Sequence, residues 1–91
     1  MNTYLISYNL IKPETSLDYA RLVAKIQAYT YWAKPLRNVW IIQTPLPVAQ
    51  IRDNLRLSMG ANDTILVIEV TRNWASLGLP KEVTDWMKNN F

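Results

Sequence analysis

The spacing of apolar residues along this chain switches between strand-like alternation and helix-like stripes, and the order of the switches restricts the folds open to it. Thr3 to Leu10 reads TYLISYNL, rich in β-branched and aromatic residues, and stops at the turn-forming Lys12-Pro13. As a strand it directs Tyr4, Ile6, Tyr8 and Leu10 to one face, and Leu5, Ser7 and Asn9 to the other. The first set is apolar throughout and predicts a face covered by helices. The second is mixed, as suits a face open to solvent or to a partner.

Thr15 or Ser16 can cap a helix running to about Tyr29, because a side-chain oxygen there satisfies an orphan amide. Tyr19, Leu22, Val23, Ile26 and Tyr29 form its apolar stripe, with Asp18, Arg21 and Lys25 on the solvated side. Tyr31 to Leu36 and Asn38 to Thr44 read as two short strands around a turn near Pro35-Leu36-Arg37-Asn38. Pro45 and Pro47 end the second strand and open a helix with Val48, Ile51, Leu55 and Met59 inward and Gly60 as its C-cap. Asn62-Asp63 then turns the chain into Thr64 to Val70, a run of apolar residues dense enough to predict a central strand buried on both faces. A last helix begins at Pro80, with Glu82 in its first turn, Lys88 in its last, and Val83, Trp86 and Met87 as its apolar face.

Two strand–helix–strand units in series predict an α+β fold, a ferredoxin-like βαββαβ sandwich in one domain over residues 1–91, with an added C-terminal helix at about 80–90. Right-handed crossovers put the first two helices on one face of an antiparallel sheet. The other face needs cover from the C-terminal helix or from a second subunit.

Composition narrows the chemistry. The chain has no cysteine and no histidine, which removes thiolate nucleophiles, the usual general base near neutral pH and the commonest transition-metal ligand. Two glycines leave no room for a phosphate-binding glycine loop. The N-terminus lacks the features of a signal peptide, and no apolar run nears the roughly 20 residues of a membrane span, so a cytoplasmic location without membrane contact is expected. Ten basic residues against seven acidic ones give a net charge of +3, compatible with a polyanionic partner.

Polar residues at strand ends are the remaining candidates for catalysis: Asn9 closing the first strand, Asp63 opening the last, and Glu69 near its far end. A hard divalent cation requires charged oxygen ligands, and Asn9 offers only a neutral carbonyl. Asp63, in an Asn-Asp turn, also suits a local backbone hydrogen bond, and Glu69 also suits a salt bridge. Arg21, Lys25, Arg52 and Arg56, on two neighbouring helices, form a candidate phosphate-binding surface, interrupted by Asp18 and Asp53. Among the four tryptophans, Trp40 fits the core, while Trp74 and Trp86 are candidate anchors for a dimer interface.

The segments YLISYNL, RNVWIIQT, IRDNLR and NDTILVIEV, with a tryptophan following, resemble the SinR-like proteins across nearly the whole chain. Those are similar in turn to VapD and to the small CRISPR-associated endonuclease that serves as the adaptor in spacer acquisition. The resemblance implies a ferredoxin-like fold and a homodimer. In the nucleases the first strand ends in Tyr-Asp, and that aspartate from each subunit holds a metal ion; here the matching pair is Tyr8-Asn9. The family's second polar position falls near Arg37-Asn38, which brings no negative charge.

Three functions follow as expectations. The first is a non-catalytic, dimeric nuclease-fold scaffold that binds RNA or DNA weakly and without sequence preference, or binds a protein, with no cofactor. The second is a metal-dependent endoribonuclease or toxin-type nuclease using Asp63 or Glu69 with magnesium or manganese. The third is a protein-only interaction partner in a phage, plasmid or toxin–antitoxin system.

Overall fold

The alternation of the first strand organises the molecule. β1 (Asn2–Asn9) lies inside a four-stranded sheet and pairs antiparallel on both sides, with β3 (Val39–Thr44) and with β4 (Thr64–Glu69). β2 (Tyr31–Leu36) pairs antiparallel with β3, so the strand order is β2–β3–β1–β4. Helix α1 (Leu17–Gln27) follows β1, α2 (Val48–Arg56) follows β3, and α3 (Lys81–Asn90) follows β4. The computed structural model describes residues 1–13 and 15–91 of this mixed α+β chain. Among the described residues, no helix is long and apolar enough to cross a membrane.

One face of the sheet carries the core. Tyr4, Ile6 and Tyr8 of β1, with Trp40 and Ile42 of β3, meet Leu22 and Ile26 of α1 and Ile51 and Leu55 of α2. Ile6 lies opposite Trp40 and Tyr4 opposite Ile42, which stacks large side chains across neighbouring strands. Burial of each large aliphatic side chain contributes about 1.5–3 kcal/mol. Ser16 starts α1 as expected, its hydroxyl accepting the Tyr19 amide at 3.2 Å. Trp40 is 1% exposed, the core position its place in the strand predicted.

The opposite face is only half covered. α3 lies over the β2–β3 side: Met87 is buried near Leu5 and Ile41, and the Gln43 side-chain amide donates to the Asn90 carbonyl. Towards β4 the cover falls away, and Leu66 and Ile68 are exposed.

Three expectations change. β4 is an edge strand, with Leu66 58% and Ile68 48% exposed. Its apolar density is that of one covered face, where Ile65 and Val67 pack against the core, and one bare face. Gly60 is not a left-handed helix cap. α2 ends at Arg56 with right-handed Leu57 as its cap, and Gly78, in the loop between β4 and α3, is the residue with positive φ (79°) among those described. Val48, placed inward by spacing, is exposed in the first turn of α2 beside the free edge of β4.

Candidate functional site

Asn9 ends β1 on the bare face, opposite Thr64. Its side chain is exposed and opens onto a shallow depression of about 210 Å³ whose other walls include Ser7, Thr64 and Leu66. Every side chain lining that depression is uncharged. Asp63 stands one residue before Thr64 but is committed elsewhere. Its Oδ1 accepts the Ile11 amide at 2.9 Å and its Oδ2 accepts the Gly60 amide at 2.7 Å. Those two backbone bonds, Ile11 first, hold the Asp63 carboxyl below the usual carboxylate range, with a further contribution from the Lys12 ammonium. The local backbone bond suggested by the Asn-Asp turn is there, and the bond to Ile11 adds a tie between loops far apart in sequence.

Glu69 sits at the other end of β4, opposite Tyr4. Five residue steps of strand separate it from Thr64, about 17 Å at the usual rise. Asn9 and Asp63 therefore share one end of the sheet and Glu69 does not. Among the described residues, no three His, Cys, Asp or Glu side chains come together to hold a metal ion. An amide, two hydroxyls and an engaged carboxylate do not meet the needs of magnesium or manganese, which bind through one or more free carboxylates. At the second position suggested by the resemblance, the Asn38 side-chain oxygen accepts the Tyr19 hydroxyl, and the Asn38 carbonyl accepts the Tyr8 amide at 3.3 Å. Asn38 is fixed as part of the turn before β3.

The basic residues divide into groups. On α1, Arg21 faces Asp18 at 3.6 Å, and Asp18 also takes a hydrogen bond from Lys12. That bond and the attraction between the two charges lower the Asp18 carboxyl and raise the Lys12 ammonium relative to their ordinary values. Lys25 lines a groove between α1 and α2 with Tyr29 and Asn54. Arg52 lies on the other flank of α2, in a groove that runs along β4 past Val48 and Ile65, and its Nε is 3.0 Å from Asp53. Arg56 is exposed at the C-terminal end of α2. The four cations thus share the helical side of the molecule without converging on one pocket.

The two candidate interface tryptophans are both half-buried against their own chain. Trp74 packs edge-on to Phe91, ring centroids 6.5 Å apart, over a cavity of about 390 Å³ beside Leu5, Ile41 and Met87. Trp86 borders Trp32 and Ala33 of β2. The exposed pair Leu66 and Ile68 was not singled out by the sequence, because nothing in a run of apolar residues marks which face will stay bare. Comparison of the chain with models of known families, with characterised proteins and with solved structures finds no match.

Proposed function

We propose that this chain is a non-catalytic, homodimeric binding module of the ferredoxin-like class that associates with nucleic acid through phosphate contacts. The strand order β2–β3–β1–β4, with α1 and α2 on one face, supports the fold assignment. The observation that carries the absence of catalysis is the neutral surround of Asn9 together with the engagement of Asp63 by two backbone amides. A metal-assisted phosphodiester cleavage needs an ion to stabilise charge on the phosphate, and among the described residues this end of the sheet has no free carboxylate to hold one. Nucleic-acid association draws support from Arg21, Lys25, Arg52 and Arg56 on the helical side and from the net charge of +3.

The test pairs two measurements on purified protein. Titration of labelled RNA and DNA across salt is expected to show weak binding, with log K falling by about 0.9 per neutralised duplex phosphate for each log unit of salt. Incubation of the same substrates with magnesium or manganese, against a chelator control, is expected to leave them intact. Metal-dependent cleavage would overturn the reading in favour of a nuclease. Absence of binding at low salt would overturn it in favour of a protein-only partner.

A further inference from the structure

The two edges of the sheet differ. β2 carries Lys34 and Pro35, has an irregularity in its pairing between Ala33 and Leu36, and is overlain by α3. Lysine, proline and local distortion are the devices that keep an edge from pairing with another strand. β4, TILVIE, has none of them.

The backbone bonds fix which groups that edge presents. Val70 donates to the Thr3 carbonyl at 2.9 Å, which continues the β1–β4 register one step past Tyr4 and Glu69. In an antiparallel ladder bonded pairs alternate, so Leu66 and Ile68 turn their peptide groups towards β1. Ile65, Val67 and Glu69 turn theirs outward, to the free edge. Their side chains lie on the helical face, where Ile65 and Val67 meet the core.

We propose that β4 pairs with β4 of a second copy of this chain, antiparallel and with the two-fold axis at Val67, so that two sheets join into one of eight strands. The inference rests on the homodimeric part of the reading above and assigns its interface. The register is self-complementary at three levels. Ile65, Val67 and Glu69 meet Glu69, Val67 and Ile65 of the other copy, and the outward peptide groups are satisfied. On the bare face Leu66 lies against the other copy's Ile68, and Ile68 against its Leu66, covering the two exposed apolar side chains of β4. On the helical face Glu69 arrives beside the other copy's Ile65, whose flanking groove is lined by Arg52. Glu69 has no ion pair among the described residues, and the only one for Arg52 there is the exposed contact with its sequence neighbour Asp53. The two-fold therefore brings opposite charges together twice. A strand of another sequence would satisfy the peptide groups but not both of these side-chain matches, which is why the occupant is a second copy.

The chain has no cysteine, so introduced thiols report cleanly. The expected solution mass at micromolar concentration is twice 10.6 kDa. Leu66→Lys with Ile68→Lys, at exposed positions that the fold does not need, is expected to give a folded monomer. Oxidation of a mixture of Leu66→Cys and Ile68→Cys chains is expected to link one of each, because facing residues in such a pair have Cα atoms about 4.5 Å apart. Each variant alone is expected to stay unlinked, since residues two steps out of register lie beyond the roughly 7 Å limit for a disulfide. A parent monomer would overturn the inference together with the homodimeric reading. A dimer that persists in the lysine variant, or that fails to link Leu66→Cys with Ile68→Cys, would overturn the β4 interface alone and leave the homodimer standing.

Discussion

The indole Nε1–H of Trp40 donates to the hydroxyl of Tyr8 at 3.0 Å, beneath α1 and α2 and away from water. Tyr8 in turn meets Tyr19 edge-on at 5.9 Å, and the Tyr19 hydroxyl reaches Asn38. A polar thread thus runs through an otherwise apolar layer and ties β1, α1 and β3 to the turn before β3. Inside a protein such bonds are expensive to leave half-made.

Tyr8→Phe is therefore expected to cost about 1–3 kcal/mol, chiefly because the Trp40 donor loses its acceptor while remaining buried. The double variant Tyr8→Phe with Trp40→Phe should be destabilised by less than the sum of its parts. Urea unfolding of the four proteins in the cycle reads the coupling, expected at about 0.5–3 kcal/mol. Strict additivity would show that the bond contributes nothing.

Met87→Ala removes the buried side chain by which α3 grips the β2–β3 half of the sheet. The expected loss is about 2–5 kcal/mol in urea unfolding. Val48→Ala, an exposed position on α2, should change stability by less than about 0.5 kcal/mol and serves as the contrast.

Asp63 links acidity to the loop at Ile11. Its carboxyl titrates lower in the folded chain than in the unfolded one, because the Ile11 and Gly60 amides hydrogen-bond to the charged form. Its stabilising contribution is thus fully present above the unfolded value and is lost as pH falls through the lower, folded value. Asp63→Asn is expected to lower stability at neutral pH and to flatten the decline below about pH 4. An unchanged acid limb in pH-dependent unfolding would place the acid sensitivity elsewhere, for instance at Asp18, whose carboxyl is also held low.

Asn9→Asp is expected to restore the carboxylate suggested by the family resemblance without restoring a shared metal site. With β4 edges joined at Val67, strand spacing and rise put the two residue-9 positions about 25 Å apart. Calorimetry with magnesium or manganese should show no ion held between two copies. One ion per two chains would show that bare faces, not edges, meet.

Much of this architecture was legible because each helix and strand repeats a simple period. The stripe Tyr19, Leu22, Ile26 and the alternation Tyr4, Ile6, Tyr8 both lie where their spacing puts them, in the core between sheet and helices. β4 was misread as central because TILVIEV has no polar residue between Thr64 and Glu69 to distinguish its two faces. Only its neighbours, β1 on one side and none on the other, decide that Leu66 and Ile68 stay bare. Gly60 was misread because a glycine after a helix suits a left-handed cap, whereas here it supplies an amide to Asp63. The basic residues were found, but the helix phase that sends Lys25 and Arg52 to different grooves is fixed by packing rather than by spacing within either helix.

The irregular β2 strand also sets a limit on growth. A chain with two receptive edges would add copies at both ends and extend into a ribbon without a natural length. Under the proposed pairing, joining through β4 would use up the receptive edge of each copy and leave a β2 strand, with its Pro35 and overlying α3, at either end of the joined sheet. Pro35 would then act as a chain terminator for assembly, and the number of copies in the particle would be set by an imino acid far from the contact itself.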